Sequence, residues 1–186
     1  VISNVSKLVC ILIFLFSFSC GKNQQVEKKE TKNVTDFVWS ENISIDRIPD
    51  FPVKGMLNGK ALNLEYINFE KWRGSGDNVF NFGDKAPKQV CGFVENDDAF
   101  RLTRTNGDFP KGEFIKENFN KNIDSYTADF HYTVDNNIKN VNVPWNCALV
   151  ITYMDDNTVK GKIALCFKDD AKSWIAGTFE ALRCNN

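Results

Sequence analysis

The sequence predicts an all-β protein, mainly antiparallel, built as a β-sandwich or barrel of about eight to nine strands with at most one short helix. Three observations carry this expectation. From residue 53 onward, short runs alternate apolar and polar residues, the period of a half-buried strand and not of a helix. Turn residues separate the runs at close intervals, as in small sandwiches and barrels. Asn58-Gly59 stands between the first two runs, and this pair readily adopts the positive φ that a type I′ hairpin turn needs at both central positions.

The runs are 53–57, 61–72, 78–82, 89–95, 100–105, 126–134, 147–154, 159–167 and 174–184. Asp155-Asp156-Asn157-Thr158 supplies a second hairpin turn. The one expected helical piece is 112–122, where Phe114, Ile115 and Phe119 can share a face. Gly55, Gly161 and Gly177 each follow a β-branched residue by two positions, and a glycine inside a strand marks a bulge or a close backbone approach. Ahead of the runs, Phe37, Val38, Trp39, Ile43, Ile45 and Ile48 alternate in part, so the folded domain, 37–186, is expected to begin near residue 37 with a loose edge strand. Residues 21–36 are nearly devoid of apolar side chains and read as a flexible tether, because they bury too little to offset the entropy of ordering.

Beyond residue 20 the chain carries 22 Lys and Arg against 24 Asp and Glu, with both signs scattered. Nucleic-acid binders carry a basic stripe, so no nucleic-acid partner is expected. The 22 asparagines indicate an AT-rich genome as much as any structural demand.

Residues 1–20 form an export signal. Lys7 is a sparse basic start, and an apolar stretch of about a dozen residues follows it up to Cys20, too short for the roughly 20 residues of a membrane-spanning helix. Val1 fits an initiation codon read as valine, as in an untrimmed bacterial precursor. The segment Ser17-Phe18-Ser19-Cys20-Gly21-Lys22 resembles a bacterial lipobox, with a small residue before the cysteine and a polar stretch after it. Ser17 stands where the usual pattern has Leu, and this relaxed form, with Phe16 and Phe18 beside it, is similar to the lipoboxes of spirochaete, particularly leptospiral, lipoproteins. The resemblance implies lipidation at Cys20 and a lipid anchor in the bacterial outer membrane, surface-exposed or facing the periplasm. The multiply acylated cysteine of such a signal holds a protein stably, which a single chain does not. The alternative is ordinary cleavage after Ser19, leaving Cys20 free or in a disulfide.

Cys91, Cys147, Cys166 and Cys184 are the disulfide candidates of the exported domain. A hairpin centred on Asp156-Asn157 sets Cys147 opposite Cys166 and leaves Cys91 for Cys184. A one-residue change in register sets Cys147 against Leu165 and turns the two cysteines to different faces. Pairing Cys91 with Cys147 and Cys166 with Cys184 is the competing arrangement.

No metal or cofactor is expected, because the domain cysteines are widely spaced and the chain has a single histidine. That histidine, His131, falls on the more polar side of its run, with Thr133, and reads as a hydrogen-bonded strand residue. Asp97-Asp98, Asp155-Asp156 and Asp169-Asp170 occupy turns, where aspartate bonds its own backbone. Gly74-Ser75-Gly76-Asp77 lacks the ending of a phosphate loop and reads as a plain turn. Lys71, Trp72 and Arg73 are the candidate binding residues, since Trp and Arg are enriched at interaction hot spots.

With no catalytic residue assigned, the chain is expected not to be an enzyme. The leading expectation, resting on the resemblance, is a surface lipoprotein that binds a host protein, an adhesin or a binder of a complement component, with the membrane as its other partner. A periplasm-facing lipoprotein and a β-barrel carrier of a small apolar ligand, suggested by thirteen phenylalanines beyond the signal, are the alternatives. A weak hydrolase, or an inhibitor of one, is the third.

Overall fold

A computed structural model describes residues 37–86, 89, 91 and 98–184. The signal, Cys20, the 21–36 tether and most of the 89–95 run lie outside the described residues. Eleven strands follow in chain order: β1 (Lys54–Leu57), β2 (Lys60–Leu62), β3 (Tyr66–Trp72), β4 (Asp77–Gly83), β5 (Ala99–Arg104), β6 (Gly112–Lys116), β7 (Tyr126–Val134), β8 (Asn137–Val141), β9 (Trp145–Met154), β10 (Thr158–Phe167) and β11 (Trp174–Cys184). Asn58 and Gly59 take the expected positive φ angles, 48° and 77°, between β1 and β2. Asp135 and Asn136, at 50° and 60°, make a second turn of this kind between β7 and β8.

Nine strands form one continuous sheet in the order β6-β9-β10-β11-β3-β4-β5-β7-β8, curled into a half-barrel. Every pairing along it is antiparallel except β11 with β3. The same edge of β11 serves two partners, since Trp174 to Ala176 pair with β1 and Leu182 to Cys184 pair with β3. Between these stretches, at Gly177, the chain around Phe51 and Val53 passes so closely that a Cβ would lie 2.6 Å from the Phe51 carbonyl oxygen. Glycine is also required there by a φ of 135°.

The concave face holds the main core. Phe80 packs against Phe69, Phe109 and Phe179 with ring centroids 4.6, 5.0 and 5.4 Å apart. In the same cluster Phe167 packs against Phe130 at 5.0 Å and Phe100 at 5.6 Å. These rings fill the barrel interior, each contributing about 2–3 kcal/mol by burial.

The convex face of β9, β10 and β11 is covered by residues 37–52. Ala148, Ala164 and Ala176 lie side by side across these strands, and their small side chains let the arm settle close. Ile43 and Ile48 are buried on this row together with Cys166 and Phe119. The Trp39 indole donates to the Phe167 carbonyl at 2.8 Å, and the Asn146 amide donates to the carbonyls of Ser40 and Glu41 at 3.0 and 2.9 Å. The expected edge strand at the start of the domain is thus an arm with one 3-10 turn, Ile45–Arg47, and no strand pairing beyond isolated bridges.

Two further expectations are corrected. The 112–122 helix does not form: Gly112–Lys116 is the edge strand β6, and Phe114 packs on the main core while Phe119 belongs to the cluster beneath the arm. The spacing that suggested one helical face joins residues on two faces of a sheet. The Cys147–Cys166 pairing does not form either. β9 and β10 begin in the predicted register, with Lys160 opposite Tyr153, but a bulge follows and Gly161 lies opposite Ile151. A Cβ on Gly161 would lie 2.2 Å from the Val150 carbonyl oxygen, so the bulge needs glycine. Beyond it Cys147 faces Leu165. The structure joins Cys91 to Cys184 and leaves Cys147 and Cys166 as buried thiols.

Candidate functional site

Lys71, Trp72 and Arg73 do not form one surface. Neighbouring residues on a strand point to opposite faces, so Lys71 and Trp72 diverge at the end of β3, and Arg73 begins the turn to β4. Trp72 instead donates from its indole to the Glu70 carboxylate at 3.3 Å. Burial raises the Glu70 carboxyl above its usual range, and the Trp72 bond opposes the shift.

Glu70 belongs to a set of polar side chains on the convex face of β3, β4, β5 and β7. Asn68, Asn81, Arg101 and Asp129 are adjacent across these strands. The Asn81 amide donates to the Asn68 side-chain oxygen at 2.6 Å, and Arg101 forms an ion pair with Asp129, its Nε at 2.8 Å. His131 is buried on the same face, beside Ala99 in register. Cys184 lies next to Glu70, so the bond to Cys91 clasps this face. Asn68, Asn81, Glu70 and His131 are all at most 6 % exposed, which makes the set internal structure and not a surface open to a ligand.

In two of the three acidic pairs the first aspartate serves its turn. Asp155 accepts from the amides of Asn157 and Thr158 at 2.9 and 2.7 Å. Asp169 accepts from the Ser173 amide and hydroxyl at 2.7 and 2.8 Å. Asp98 instead accepts from the Thr133 amide on β7 at 2.9 Å, a bond between distant segments, and Asp97 lies outside the described residues. Among the described residues no group of three His, Cys, Asp or Glu side chains converges on a point where a metal ion could sit.

An open cleft of about 530 Å³ lies where the segment after β6, the start of β7 and the β8–β9 connection meet. Lys116 is at its base. Strand alternation carries Phe114 and Lys116 toward the core, and the Lys116 ammonium ends under three carbonyls: Asn118 at 2.9 Å, Phe119 at 3.3 Å and Trp145 at 2.6 Å. It also lies 5.0 Å from the centre of the Trp145 ring. Burial lowers the Lys116 pKa, and Lys121 acts in the same direction. An ammonium has three N–H groups, and here all three are engaged, so Lys116 binds the two walls together and offers no donor to a ligand.

The walls are held from outside as well. Asn118 accepts from the amides of Asn120 and Lys121 at 3.1 and 3.0 Å, and Lys121 pairs with Glu117 at 2.5 Å. The arm contributes the Ile43 amide, which donates to the Glu117 carbonyl at 2.8 Å. Opposite, Tyr126 has its ring 4.2 Å from Phe114, and the Arg104 guanidinium lies 4.5 Å above it. Burial raises the Tyr126 phenol, with Arg104 opposing. Exposed Asn122, Asp124 and Asn142 line the rim.

This cleft was not evident from the sequence, because its residues come from three separated stretches. One signal was present: a lysine in the inward position of an alternating run, two residues after Phe114. No protein-family model, curated protein or solved structure matches the chain.

Proposed function

We propose that the protein is a lipid-anchored, non-enzymatic binding domain displayed at a bacterial outer membrane, where it takes a host macromolecule at the cleft above Lys116. The observation that carries the anchor is Ser17-Phe18-Ser19-Cys20 at the end of an apolar stretch, followed by a polar tether. The cleft supports binding and not turnover, because its one buried ionisable amine is committed to three backbone carbonyls. The aromatic packing of the barrel interior favours this reading over a carrier of small apolar ligands, which needs interior volume.

Protease shaving of intact cells tests the display. The domain is expected to be digested on whole cells expressing the native chain and to be released from the membrane by Cys20→Ser. A domain that survives until the outer membrane is broken faces the periplasm.

A further inference from the structure

We propose that the Lys116-pinned cleft binds an uncharged, polyhydroxylated chain, a neutral glycan segment; this rests on the reading of the domain as a displayed binding module. Its size falls within the roughly 300–1,000 Å³ typical of sites for small ligands or short segments. Asn122 and Asn142 present amides at the rim and Asp124 a carboxylate, and among the described residues no hydrogen bond uses these three side chains. An amide donates and accepts side by side, and a carboxylate accepts twice, which matches neighbouring hydroxyls that do both.

Charge argues against an anion. The Lys116 N–H groups are consumed by carbonyls, Lys121 is paired with Glu117, Arg104 is held over the Tyr126 ring with a bond to the Asp124 carbonyl, and the Asp124 carboxylate repels a phosphate or sulfate. Val143 and Pro144 add apolar surface suited to the C–H faces of sugar rings. Hydrogen bonds from Lys116, the Asn118 turn and the arm hold the backbone of the walls in place, which lowers the ordering entropy that binding costs to that of the rim side chains.

The test is binding of the mature chain to a printed array of neutral and sulfated oligosaccharides. Saturable binding to a neutral glycan, insensitive to salt, is expected. Asn122→Ala with Asn142→Ala is expected to weaken it about tenfold or more, as the loss of two or more hydrogen bonds implies. Asp124→Ala, a second exposed site, is expected to weaken it as well, and Lys71→Ala with Arg73→Ala to leave it unchanged. Unchanged thermal melts establish that the variants fold. Binding to no neutral glycan, binding to sulfated glycans alone, or full binding by both cleft variants overturns the proposal. Capture of a protein probe such as gelatin without any glycan overturns the glycan while leaving the displayed binding module standing. Failure of the shaving experiment does the reverse.

Discussion

Cys147 on β9 faces Leu165 on β10, so Cys147 and Cys166, one residue out of register, point to opposite sides of the sheet. Cys147 is buried in the main core and Cys166 beneath the arm. Burial pushes the Cys166 thiol up to about 12 and the Cys147 thiol well above its usual range. Thiolate is the reactive form, so neither cysteine is expected to react with iodoacetamide in the native domain. Both are expected to be labelled after denaturation without reductant. A peptide map showing a Cys147–Cys166 bridge contradicts the register.

The Cys91–Cys184 bond spans 93 residues of sequence and clasps the polar convex face beside Glu70. Removing it with Cys91→Ser and Cys184→Ser together is expected to cost roughly 2–5 kcal/mol, read from urea unfolding. A loss under about 0.5 kcal/mol, the scale of ordinary surface substitutions, contradicts the clasp.

Lys116→Met keeps the aliphatic stem but leaves three carbonyls without their donor. Equilibrium unfolding is expected to show a loss of about 2–4 kcal/mol. Lys71→Met, on an exposed residue, is expected to stay within about 0.5 kcal/mol of the parent.

Glu70 sets a pH dependence with a definite sign. Its folded pKa is raised by burial, so the folded state holds the proton more tightly than the unfolded chain does. Its contribution therefore favours folding most fully below the ordinary value of 4.5 and is lost as the pH rises through the folded pKa. Glu70→Gln, which stays neutral, is expected to raise the melting temperature at pH 7 and to give little gain at pH 4. An equal gain at both values contradicts the assignment.

The strands were legible wherever one face is apolar and the other polar, as in Tyr126–Val134 and the first half of Thr158–Phe167, because burial of a single face imposes the period of two. β8 was not, since Asn137 to Asn140 are all exposed and an edge strand with little to bury carries little pattern. β6 was read as helix because Phe119 supplied a spacing that the fold does not use. The separation of Lys71 from Trp72 follows from the same period of two, whereas the cleft depends on tertiary meeting of distant segments. The cysteine pairing turned on one bulge, and Gly161 marked the position at which the register changes.

The anchor is tested most directly by the intact mass and N-terminal peptide of the protein extracted from its own membranes. A mature chain that begins at Cys20 and carries the mass of its acyl chains is expected. An unmodified N-terminus at Cys20, or a chain that retains residues 1–19, would contradict it.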